Sequence, residues 1–181
     1  HGNVIRQNAV HDIYGTGTSS AIRTDGWQEG TLIAENVVYR SVGGGITLKQ
    51  INRVENNIVA NMIPRSPLEE IEPDFRGRPL DLHGYILLRR GPSQGSTIQR
   101  NLLVHPGKRF NLYDEARIKN FAPAYARDCE TDYNLYWFTE DPQGARGFLE
   151  EKRGQGIDKH SLAADPLFRD LKNNDFRLPV N

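Results

Sequence analysis

One short pattern constrains this chain more than any other: a polar residue, an asparagine, then a pair of aliphatic or β-branched residues. It recurs as Gln7-Asn8-Ala9-Val10, Glu35-Asn36-Val37-Val38, Asn56-Asn57-Ile58-Val59 and Arg100-Asn101-Leu102-Leu103, with a looser copy at Tyr133-Asn134-Leu135-Tyr136. The asparagines are 28, 21, 44 and 33 residues apart. A basic period of about 22 residues with insertions accounts for these steps, the last least well, and falls in the range of solenoid repeats.

Each copy has the same surroundings. An alternating strand precedes it, as in Asn3-Val4-Ile5-Arg6, Thr31-Leu32-Ile33-Ala34 and Ser96-Thr97-Ile98-Gln99. A second short strand follows, then glycines (Gly15 and Gly17, Gly43 to Gly45, Gly84), then a third strand. The third strands are Ala21 to Asp25, Gly45 to Lys49 and Tyr85 to Arg89. Short β-branched strands between turn residues, without helical periodicity, exclude an α-solenoid. The expectation is an all-β, right-handed parallel β-helix with three short strands per coil.

The asparagine has a physical reason in such a stack. Parallel coils lie about 4.8 Å apart, so an amide at one corner accepts from one neighbour and donates to the next. Asparagine also tolerates the left-handed backbone of a tight corner. The ladder is therefore expected to be structural.

The coils are not uniform. A charged insertion over residues 62–83 holds Pro64, Pro67, Pro73 and Pro79, which rule out a regular strand. In a solenoid such insertions often wall the binding face. The stretch from Ala122 to Gly156 is irregular and aromatic, and reads as a wider final coil and a cover. The chain is expected to be one β-helix domain over 1–181, with regular coils over about 3–120 and an irregular end over 121–181.

Composition excludes some classes. The 23 basic and 23 acidic residues cancel, which gives no reason to expect nucleic acid or an anionic membrane as partner. No apolar run approaches a membrane span. Cys129, the single cysteine, reads as a buried or half-buried thiol, and the five histidines lack zinc-helix spacing. No signal peptide is evident in these residues, so compartment is not legible from them.

The end of the chain, Gly156 to Asp170 with Asp165-Pro166-Leu167-Phe168, then Asn174-Asp175-Phe176-Arg177-Leu178, resembles the closing segment of bacterial right-handed β-helix proteins. These are the pectate-lyase-like proteins, including glycoside hydrolases of the β-xylosidase and α-fucosidase kind. The resemblance covers nearly the whole chain for fold, and Ile22 to Gln50 with Gly156 to Leu178 for anything narrower. It implies a carbohydrate-active protein, secreted or periplasmic, acting on an oligo- or polysaccharide. Such families carry more coils upstream, with a cap, and a continuation after the last strand. The chain thus reads as a fragment of a longer solenoid, whose first coil a partner chain or a second copy would cover. Some members use calcium, but no carboxylate cluster here has ligand spacing, and no cofactor is expected.

If Ile22, Ile46 and Ile86 face the core, then Arg23, Asp25, Thr47, Lys49, Leu87 and Arg89 face outward. Asp25, Lys49 and Arg89 fall in one file, with Asp114 or Glu115 near it. Trp27 and Tyr113 beside that row make a sugar groove, with Gln50 and Arg90 as further contacts. Two chemistries compete. In a glycosidase, Asp25 stands where the resembling hydrolases carry an acid, with Glu29 or the Asp114-Glu115 pair as second carboxylate. In a uronate lyase, Lys49 or Arg89 serves as base, its pKa depressed by neighbouring cations. The same outward charges also suit a solvated face with ion pairs between coils, as in a sugar-binding or inactive β-helix. His11 and Asp12 read as a corner hydrogen bond, and His160 as packing within the terminal segment.

Overall fold

The computed structural model describes residues 2–14, 20–26, 28–63, 84–88, 95–115 and 125–179. A three-strand unit recurs along it. The first unit is β1 (Val4–Arg6), β2 (Ala9–Ile13) and β3 (Ile22–Arg23). The second is β4 (Leu32–Ala34), β5 (Val37–Ser41) and β6 (Ile46–Leu48). The third is β7 (Arg53–Glu55), β8 (Ile58–Ala60) and β9 (Ile86–Leu88). The fourth is β10 (Thr97–Gln99), β11 (Leu102–His105) and β12 (Tyr113–Asp114). Then come β13 (Glu130–Asp132), β14 (Leu135–Phe138), helix α1 (Pro142–Gly154) and β15 (Leu162–Ala163).

Corresponding strands stack into three parallel sheets: β1-β4-β7-β10-β13, β2-β5-β8-β11-β14-β15 and β3-β6-β9-β12. From β1 to β14, each described strand pairs with strands a repeat away; β15, which follows α1, pairs in parallel with β14. The result is a parallel, solenoid-like architecture.

Register turns the sequence pattern into a core. One inward column per sheet is aligned residue for residue: Ile33, Val54 and Ile98 in the first, and Val38, Val59, Leu103 and Tyr136 in the second. Ile22, Ile46, Ile86 and Tyr113 form the third. Nearly all of these are completely buried, each contributing about 1.5–3 kcal/mol of transfer free energy.

The asparagine ladder runs between the first two sheets. In every step from Asn8 through Asn36, Asn57 and Asn101 to Asn134, the backbone N–H and side-chain Nδ2 of one asparagine donate to Oδ1 of the next, at 2.9–3.1 Å. Each interior Nδ2 also caps a strand carbonyl, such as Asn57 on Ile33 and Asn101 on Val54. Asn134 ends the ladder on Ser161 Oγ and Asp158 Oδ1. The looser copy of the motif is thus a full rung.

The left-handed corner residue is not the asparagine, contrary to expectation. It is the residue before it: Gln7, Glu35, Asn56, Arg100 and Tyr133 all have φ between 56° and 58°. The asparagine amide works as a ladder, and its neighbour takes the strained turn. Glycine is required at Gly45, where a Cβ would collide with the Tyr85 carbonyl oxygen and Val59 Cγ1.

The stretch read as an irregular cover is more ordered than expected. β13 and β14 continue two of the sheets, and α1 packs on β14 and β15. Asp141 caps α1 by accepting from Gly144 N at 2.8 Å, and Pro142 occupies the first turn. Ala145, Phe148, Leu149 and Lys152 form its buried face, a helical period short enough to be missed beside so many strands. Of the 62–83 insertion, all beyond Ile63 lies outside the described residues.

Candidate functional site

The third sheet positions the expected row. Beyond β3 the chain is pinned to the next repeat by Thr24, whose buried Oγ1 accepts from Lys49 N at 3.0 Å. Its hydroxyl reaches the Thr47 and Lys49 carbonyls at 3.3 and 3.4 Å. Asn52 Nδ2 donates to the Lys49 carbonyl at 2.6 Å. With both backbones fixed, the neighbouring side chains Asp25 and Lys49 meet.

Asp25 is held from three directions. Lys49 Nζ and Gly26 N donate to Oδ1, and Arg23 Nη2 lies 2.9 Å from Oδ2. The carboxylate side chain remains 58% exposed, whereas Lys49 is 10% exposed. Partial burial alone would push this carboxyl up. The hydrogen bonds from Lys49 and Gly26 and the charges of Arg23 and Lys49 outweigh it and hold the group at about 2. Asp25 is therefore an ionised, oriented carboxylate at neutral pH.

The other expected members are placed differently. Thr47 and Leu87 were expected to face solvent and are buried, as is Lys49. Asp114 aligns with Leu87, in the column of Arg23 and not in that of Asp25. Three strand spacings separate β12 from β3, about 14 Å, wider than the roughly 5–9.5 Å between the carboxyls of a glycosidase pair. Glu115 accepts from Ala126 N at 2.9 Å and lies 3.6 Å from Lys152 Nζ, so it too is remote from Asp25.

Tyr113 was expected to offer a sugar-stacking face. Its ring is in the core, because the register puts it in the inward column below Ile86. Its hydroxyl meets that of Tyr136 at 2.9 Å, and Tyr136 donates to Asp158 Oδ2 at 2.8 Å. Burial drives both phenols upward and raises the Asp158 carboxyl. Gln50 is likewise buried, with its carbonyl accepting from Ser96 Oγ at 3.0 Å. Glu29 is exposed on the turn that follows Asp25. Trp27, Arg89 and Arg90 lie outside the described residues.

His11 makes the corner bond, Nδ1 to Asp12 at 2.7 Å. His160 reaches beyond its own segment: Nδ1 binds Asp132 at 2.7 Å and the ring stacks on Tyr133. Cys129 is buried. Among the described residues no three or more His, Cys, Asp or Glu side chains converge as a metal site, and no helix is long and apolar enough to cross a membrane. Sequence reasoning missed Lys152, a charge on the buried face of α1; its one signal was the spacing from Ala145, Phe148 and Leu149.

Comparison with family models, with curated proteins and with solved structures yields no match to this chain.

Proposed function

We propose that the three sheets close as a right-handed parallel β-helix of the pectate-lyase-like kind, and that the turn bearing Asp25 acts on a saccharide outside the cell or in the periplasm. Right-handedness follows the strong general preference for crossovers between parallel strands. The sugar reading draws on the Asp-Pro-Leu-Phe and Asp-Phe-Arg-Leu ending. The reaction we assign is hydrolysis of a glycosidic bond, with Asp25 as the ionised carboxylate and Glu29, four residues on, as the acid. The observation that carries it is an oriented carboxylate kept charged by Arg23 and Lys49 while more than half open to solvent.

One observation favours a second reading, saccharide binding without cleavage. Both Asp25 oxygens are already engaged, which suits a contact residue better than a nucleophile. Elimination draws less support, since Lys49 Nζ is paired to the Asp25 carboxylate.

The test is an activity and binding screen against neutral and uronic oligosaccharides with Asp25→Asn, Glu29→Gln and Lys49→Ala. Loss of cleavage with the two carboxylate variants supports hydrolysis; loss with Lys49→Ala alone supports elimination. Binding without turnover supports the contact role, and no interaction with any saccharide refutes the proposal.

A further inference from the structure

At the opposite edge of the third sheet from Asp25, side chains of α1 and of the segment 109–115 line a cavity of about 390 Å³. Phe110, Tyr113 and Phe148 contribute its apolar walls, and Glu115 and Lys152 its polar ones. Arg109 and Glu151, 3.2 Å apart and each at least half exposed, also line it. The volume is that of a small-ligand site.

Lys152 is the unusual member. It is 4% exposed, in a position of α1 where the other inward residues are apolar. Burying an ammonium is costly unless short, well-formed bonds replace its water. Here the bonds are long: 3.3 Å to Gln155 Oε1 and 3.6 Å to Glu115 Oε1, against about 2.7–2.9 Å for a charge-assisted pair. The ammonium also lies 5.6 and 5.5 Å from the Tyr113 and Phe148 ring centroids. A donor so placed has capacity left for a ligand.

The charge balance selects the ligand. Among the described residues Arg109 and Lys152 oppose Glu115 and Glu151, so the charges lining the cavity balance, and an entering ion of either sign meets a like charge. A neutral polyol meets none. Its hydroxyls donate to Glu115 and accept from Lys152, and its C–H face packs on the aromatic walls. We propose that this cavity binds a neutral pyranose ring. The proposal rests on the cavity's own chemistry and stands whether or not Asp25 takes part in catalysis.

The test is titration of the uniformly ¹⁵N-labelled chain with D-xylose, D-glucose and D-glucuronate, following amide shifts. The neutral sugars should move the amides of 113–115 and 148–152, and glucuronate should move them less. Shifts confined to 23–26 and 49 would report only the Asp25 turn and overturn the cavity proposal. Lys152→Met, of similar volume, should weaken the neutral-sugar titration by about tenfold or more, as expected when one good polar contact is lost. Unchanged affinity in folded Lys152→Met, or equal binding of glucuronate, would also overturn it. If Lys152→Met does not fold, Glu115→Gln carries the same expectation, since it keeps the side chain's shape and removes its charge.

Discussion

Asn57 donates both its backbone N–H and its Nδ2 to a single oxygen, Oδ1 of Asn101, at 3.0 Å each, although 44 residues separate the two. The ladder closes across that interval. Buried amides have no water to fall back on, so each rung depends on the next.

Replacing Asn101 with alanine leaves the Asn57 backbone N–H and the Val54 carbonyl without their Asn101 partner and removes one bond of Asn57 Nδ2, which keeps the Ile33 carbonyl. The expected loss is about 3 kcal/mol, from unsatisfied buried groups at roughly 1–3 kcal/mol each. Asn8→Ala, at the exposed end of the ladder, should cost under about 1 kcal/mol because water substitutes there. Urea unfolding of the two variants against the parent checks the contrast.

His105 gives the chain a pH dependence. Its ring is buried against Phe110, stacked at 4.6 Å, with Nδ1 2.8 Å from the Tyr85 hydroxyl. Burial lowers its pKa from 6.5 to about 4. The unfolded chain therefore takes up the proton first, and stability falls as pH drops from about 6.5 towards 4 and is level above. His105→Phe removes this component, and the Tyr85 hydroxyl keeps the Val104 carbonyl at 3.0 Å. The denaturant midpoint of the parent should fall relative to that of His105→Phe as pH drops from about 6.5 towards 4.

Asp25 acts in a lower window. Its folded pKa of about 2 lies below the ordinary 3.8, so its stabilising effect is present above about pH 4 and fades as pH falls towards 2. The stability difference between the parent and Asp25→Asn should be constant at neutral pH and vanish through that acid range. A difference that persists at pH 2 would mean that the ion pairs with Arg23 and Lys49 are not its source.

Much of the fold was legible because the ladder writes itself into sequence. A buried amide column demands asparagine at one place per repeat, and inward columns demand Ile, Val or Leu at fixed offsets. What was not legible came from register and covering. Tyr113 belongs inside because it aligns with Ile86, and Asp114 falls in the Arg23 column, two residues short of the Asp25 file. Thr47 and Leu87 were read as outward from strand alternation alone, which gives direction but not exposure. Asp25 and Lys49 were placed in one file correctly; that they pair was not deducible from spacing. Helix α1 was hidden by its length, although Asp141-Pro142 is a helix start and Ala145, Phe148 and Leu149 follow its period.

That start signal is itself testable. Asp141→Ala removes the acceptor of Gly144 N and should cost about 1 kcal/mol. Because α1 packs on β14 and β15, the loss should appear in global urea unfolding, with a small drop in helical circular dichroism.

The stacked parallel register is the claim on which every placement depends, and interstrand nuclear Overhauser contacts measure it directly. The predicted result is a continuous chain of parallel-sheet contacts linking Val38 to Val59, Val59 to Leu103 and Leu103 to Tyr136. Contacts of antiparallel pattern, or hairpin pairing of the successive strands within one repeat, would contradict the account.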